Sequence, residues 1–307
     1  MEAWTPETHP NRDILDHEPQ SIRHPIRSVS VNQPRVATGT PIFHHGTFDG
    51  DTRIHYVEVD SDGPPLVLVH GIGMDWRVWQ GVTRRFVPRF HLYAVDLRGH
   101  GDSGKPDHGY SLAHYAADLE DLIEAIDLRD VTLVGSSLGG AIAAVVEAPI
   151  ELVSHRVLVD PPLTLGPIRD EKMFRDILIL KHEPVDVLAE YLSASNPGAG
   201  QHAMRKMSEM WHRASDAVIE ELLSNPESYY EMERELRNIE SPTLLIQADP
   251  ERGAVLREID IQRALALLPH GASITITGAG HAVHAFKPAE FVSIVEHFSA
   301  GESLRLR

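Results

Sequence analysis

The chain has 307 residues, a formal net charge of −17 and no cysteine. That length accommodates one large or two modest domains around a substantial core. The acidic balance argues against nucleic acid and anionic membrane as partners, and the missing thiol excludes disulfide scaffolds, thiolate-metal sites and cysteine nucleophiles.

Residues 1 to about 40 carry Pro6, Pro10, Pro19, Pro25 and Pro34 with little apolar periodicity, and they read as an irregular leading arm. The first ten residues lack the basic and apolar stretches of a signal peptide. The most apolar run, Ala141 to Val153, is broken by Glu147 and Pro149 and falls short of the ~20 residues a membrane crossing needs. A cytoplasmic protein is the expectation.

From Ile42 the pattern changes. Arg53 to Val59 alternates like a half-buried strand, and Leu66 to Val69 is a continuous apolar run of the kind buried in a parallel sheet. A short strand (91–96), an acidic-faced helix (112–126), an apolar strand (131–135), a small-residue helix (138–148) and another strand (156–160) follow. Strands return at 243–247 and 273–277, with helices at 259–268 and 288–299. This alternation predicts an α/β fold with a doubly wound, mostly parallel sheet over 41–162 and 239–307. Residues 163–238 show helical patterns without a good strand, and they read as a helical cap inserted over the carboxyl ends of the strands, where such sheets bind ligands.

The strongest chemical signal is Gly135-Ser136-Ser137-Leu138-Gly139, a G-x-S-x-G pattern between an apolar strand and a small-residue helix. A strand-to-helix turn that sharp strains the central residue, requires small neighbours and exposes the Ser137 oxygen at a helix N-terminus. The bland alternative is an ordinary turn with a serine cap. A serine hydroxyl needs a base. Among 19 histidines, His281 in Gly278-Ala-Gly-His281 follows the last predicted strand, which sets it at the same sheet edge. His284 reads as packing or loop structure.

The histidine needs a carboxylate to hold its tautomer. Glu251 ranks first and Asp249 close behind, both just past the strand at 243–247; Asp160, ending the strand at 156–160, is a distant third. Backbone amides of Ile72, in the His70-Gly71-Ile72-Gly73 loop, and of Leu138 are the candidate oxyanion donors, with His70 orienting the loop. No cofactor or metal is called for. In the insertion, Met204, Met207, Met210 and Trp211 recur at helical spacing, as packing more than as a substrate wall, and Tyr229 and Tyr230 are candidate pocket hydroxyls.

These motifs, with Asp96-Leu-Arg98-Gly99-His100-Gly101-Asp-Ser103, resemble the α/β-hydrolase superfamily from about residue 42 onward. The resemblance implies an eight-stranded sheet, a cap after the sixth strand and the chain order nucleophile, acid, histidine. Many members carry G-x-x-D after the seventh strand. Here Ala248 and Glu251 occupy those two positions, and that register favours Glu251. The expectation is a serine esterase or lactonase acting on small, mainly apolar, neutral substrates. A C–C bond hydrolase of ring-cleavage products and a hydrolase-fold receptor with little turnover are the alternatives. Epoxide hydrolases and haloalkane dehalogenases are disfavoured, because they resemble this chain but use aspartate at the elbow. The expected partner is a small molecule, with a homodimer left open.

Overall fold

The computed structural model describes residues 40–163, 171–196, 199–226 and 232–302. The leading arm up to residue 39, Tyr229 and Tyr230 lie outside these described residues. Eight strands form one sheet in the order β1 (His44–Asp49), β2 (Arg53–Val59), β4 (His91–Val95), β3 (Pro65–Val69), β5 (Val131–Ser136), β6 (Val153–Val159), β7 (Thr243–Gln247) and β8 (Gly271–Thr275). The β1–β2 and β2–β4 pairs are antiparallel; every later pair is parallel.

The central strands are apolar because both of their faces are covered. β5 and β7 are buried at every position, as the continuous apolar runs require. On one face α2 (Leu112–Ala125), α3 (Leu138–Val145) and α9 (Glu258–Leu267) share a core with Leu133, Leu158 and Leu245. On the other, α1 (Gln80–Phe86), α10 (Val283–Phe286) and α11 (Pro288–Ser299) pack with Leu66, Val134, Val157 and Ile246. Successive residues of a strand thus feed opposite cores.

Between β6 and β7 the described residues form α4 (Glu171–Leu180), α5 (Val185–Ser195), α6 (Gln201–Arg213), α7 (Asp216–Ser224) and α8 (Glu233–Asn238). Ile177, Leu188, Leu192, Met204, Trp211 and Ile219 build a third apolar cluster there, joined by Ile72 and Met74 from the loop after β3. Polar bonds tie these helices to the loop after β4: Ser215 N donates to Gly99 O at 2.7 Å, and Glu221 accepts from the Gly109 and Tyr110 amides at 3.0 and 2.9 Å. No described helix is long and apolar enough to cross a membrane.

Candidate active site

Ser137 occupies the one-residue junction between β5 and α3 with φ 55° and ψ −119°, a conformation that L-residues rarely adopt. Such strain costs roughly 1–3 kcal/mol and persists only where the surroundings over-determine it. They do so here through close approach. A Cβ on Gly135 would run into the Gly139 carbonyl, and one on Gly139 would run into the Val69 carbonyl. The Ser137 amide donates to Val159 O at 2.9 Å, which keys the elbow to the end of β6.

β6 ends at Val159, and the next residue is the fully buried Asp160. Its carboxylate accepts from the Ala248, Val255 and Leu256 amides at 3.2, 2.8 and 3.2 Å. Its Oδ2 also lies 2.7 Å from Nδ1 of His281. Three backbone donors hold this carboxylate in place, and its Oδ2 facing Nδ1 fixes His281 as the Nδ1–H tautomer and leaves Nε2 as an acceptor. His281 itself stands on the loop after β8 with its side chain 38% exposed, open to a substrate.

This geometry corrects the expected acid. Glu251 lies exposed in the 3₁₀ turn Pro250–Arg252. Asp249 caps that turn, accepting from Glu251 N at 2.9 Å, and its other oxygen accepts from Gly278 N at 2.6 Å. These two amides hold the Asp249 carboxyl below the usual carboxylate range. Asp249 therefore supports the His281 loop from behind, and Asp160 is the carboxylate on the ring. Its sequence signal is the strand end Leu158-Val-Asp160-Pro-Pro, a weaker cue than the G-x-x-D-like register of Ala248 and Glu251.

The loop after β3 comes down beside the elbow: a Cβ on Gly71 would sit 3.1 Å from Ser137 Cβ and 3.6 Å from its Oγ. Ile72 follows Gly71, and Leu138 opens α3. Among the described residues neither amide has an acceptor. Both are donors of the kind an oxyanion could use. His70 orients this loop as expected, its Nδ1–H donating to Gly71 O at 2.8 Å and its Nε2 accepting from Leu97 N at 3.1 Å. His284 is buried against Trp79 and Phe291, a packing position. Of the apolar stripe, Met204, Met210 and Trp211 are buried, and Trp211 lies against Gly73.

Two groups, His55 with Asp96 and Asp102, and Glu58 with Asp60 and His91, bring together atoms that could ligate a metal. In each a histidine is already hydrogen-bonded to a carboxylate at 2.7 Å, and neither group includes Ser137 or His281. A cleft of about 230 Å³ lined by Pro64, Thr132, Ser154, His155 and Glu296 opens at the amino ends of the strands. That is the edge opposite Ser137, so the cleft has no part in this site.

The alpha/beta hydrolase family model matches residues 66–294. An uncharacterised protein of Mycobacterium tuberculosis is 45% identical over 85 residues, 28% of this chain and 25% of that one. The chain thus spans about a quarter of the length of the curated relatives it matches first. A 2-(acetamidomethylene)succinate hydrolase of Mesorhizobium japonicum is 25% identical over 254 residues, 79% of this chain and 90% of its own. The crystal structure of an N-formylmaleamic acid deformylase from Pseudomonas putida superimposes with a TM-score of 0.72 at 22% identity, covering 82% of this chain and all of that one. It is a likeness of fold.

Proposed function

Since the chain belongs to the alpha/beta hydrolase family, we propose that it is a serine hydrolase in which Ser137, His281 and Asp160 act as a triad on small, neutral, mainly apolar esters or lactones. The observation that carries this reading is the 2.7 Å Asp160–His281 pair at the sheet edge where Ser137 stands on its strained elbow.

Each group has one task. His281 Nε2 takes the proton of Ser137 Oγ as the oxygen attacks the substrate carbonyl. The imidazolium that forms is stabilised by the Asp160 carboxylate, which three amides already hold in position. The Ile72 and Leu138 amides donate hydrogen bonds to the developing oxyanion, which matters most because they are in place before the reaction begins. His281 returns the proton to the leaving group, and a water then repeats the sequence on the acyl-enzyme.

The apolar face formed by Ile72, Met74, Phe174 and Trp211 favours acyl groups without charge. The chain's acidic surface disfavours anionic substrates. A second reading, hydrolysis of an acylated amine, is favoured by the likeness to the 2-(acetamidomethylene)succinate hydrolase along most of both chains. The same constellation serves either leaving group.

A fluorophosphonate probe and short p-nitrophenyl esters, applied to the wild type and to Ser137→Ala, test the proposal. Wild-type labelling and turnover with neither in the variant are expected. Equal hydrolysis by both proteins would remove Ser137 from the mechanism. Rates on the matching amides separate the two readings.

A further inference from the structure

Two buried histidines that the triad does not use lie under the Ile72 loop, with ring centroids 5.1 Å apart. His70 belongs to the loop after β3, and its Nε2 accepts from Leu97 N of the loop after β4. His100 belongs to the loop after β4, and its Nε2 accepts from Gly73 N of the loop after β3 at 3.0 Å. Each loop therefore lends a ring to an amide of the other.

The tautomers are dictated by the partners. Nδ1 of His70 faces the Gly71 carbonyl, and Nδ1 of His100 faces the Arg98 carbonyl at 2.9 Å. A carbonyl only accepts, so both Nδ1 atoms carry hydrogen and both Nε2 atoms are lone-pair acceptors. Protonation of either ring would aim an N–H at a backbone N–H. Burial opposes it as well, pushing His100 down to about 3 and lowering His70.

Gly73 is gripped from its other side too. Its φ is +72°, and an added Cβ would overlap the Trp211 ring of α6. The residue before it is Ile72. We propose that His70 and His100 form a reciprocal clasp that sets the position of the Ile72 amide, with His100 and Trp211 holding Gly73 between them, so that His100 is a positioning residue for the oxyanion. The inference rests on the serine-hydrolase reading above. It also gives the insertion a direct mechanical connection to the catalytic edge, because α6 and α7 are tied to the same β4 loop through Ser215, Glu221 and an Arg213–Asp102 ion pair.

The full-length chain is compared with His100→Leu, which fills the space without an acceptor, and His100→Gln, whose Oε1 can accept from Gly73 N. kcat, KM, the rate of fluorophosphonate labelling and Tm are measured for each. An oxyanion donor displaced from its place costs on the order of 10–100-fold in kcat. The expected result is that loss in His100→Leu, in both kcat and labelling rate, with KM within about threefold. His100→Gln should recover most of it. Unchanged kcat in His100→Leu, or equal impairment in both variants, would overturn the clasp even if Tm moves. Should His100→Leu not fold, Trp211→Leu loosens the other side of Gly73; the expected result is again a kcat loss, and an unchanged kcat and labelling rate would sink the proposal. A wild type that neither labels nor turns over would sink the hydrolase reading as well, which distinguishes the two failures.

Discussion

Asp160 and Glu251 differ in what surrounds their carboxyl groups, and the kinetics should reveal it. Asp160→Asn keeps the shape of the side chain but turns one of its acceptors into a donor facing amides, so His281 loses its tautomer. A kcat loss of roughly 10⁴ is expected. Glu251→Gln, at an exposed turn position, should stay within about twofold of wild type. Steady-state kinetics on one p-nitrophenyl ester decides between them, and the opposite ranking would restore Glu251. The placement of Ser137 on a sharp strand-to-helix turn and of His281 on the loop after β8 was legible in the sequence because the signals are local: glycines flank a turn, and the turn follows a strand. The carboxylate that faces His281 was less so. Asp160 is 121 residues from His281, and they meet through the order of β6, β7 and β8 in the sheet and through three amides of the segment that follows β7. No spacing rule along the chain contains that information.

At the scale of the element, the elbow depends on α3 being held against β6. Arg156, on β6 and 2% exposed, reaches across to do this. Its guanidinium donates to the carbonyls of Ala143 and Val146 at 2.6 and 3.0 Å and to Ser241 Oγ at 3.0 Å. It is a side-chain cap for carbonyls that the end of α3 leaves unpaired. Burial without a paired carboxylate pulls its pKa down to about 10. Arg156→Met would strand those carbonyls, and a loss of about 3 kcal/mol in urea unfolding is expected, with KM unaffected. An unchanged midpoint would show that water replaces the guanidinium. The sequence placed Arg156 at the start of a strand and gave no hint that it serves a neighbouring helix. The strands from β2 to β8 and the helices α2, α3, α9 and α11 were readable to within a few residues, since period-two and period-3.6 patterns survive wherever one core decides burial, whereas β1 and α1 were not located from the sequence. In the insertion, helicity was readable but orientation was not. Met204 and Trp211 face a cluster that includes Ile72, and that pairing exists only in the tertiary structure.

The molecule as a whole stores neutral histidines. His100 and His284 are held down to about 3 and about 4 by burial, and His70 is lowered for the same reason. An unfolded chain would protonate all three near pH 6.5. Between that pH and the folded values the unfolded state binds more protons, so stability falls as pH falls. Each histidine contributes about 1.4 kcal/mol per pH unit over that window. The urea midpoint should therefore be flat above about pH 7 and decline steeply from about pH 6.5 towards 4. A flat midpoint down to pH 5 would show that these rings are protonated in the folded protein. The sequence count of 19 histidines could not separate buried from exposed ones.

The position of Asp160 also bears on how the chain can vary. In the arrangement first expected, the turn after β7 carries the acid and cannot drift. With Asp160, the residue after β6, facing His281, the side chains at 250–253 are spared that task and new ones can be sampled there at little penalty. Asp249, Val255 and Leu256 on either side stay constrained by their bonds to Gly278 N and to the Asp160 carboxylate. The constraint moves to Asp160-Pro161-Pro162, the point where the chain leaves the sheet for the insertion helices. A saturation library selected for esterase activity should be permissive at Glu251 and intolerant at Asp160. Replacement insertions from other chains should succeed only when spliced downstream of that tripeptide.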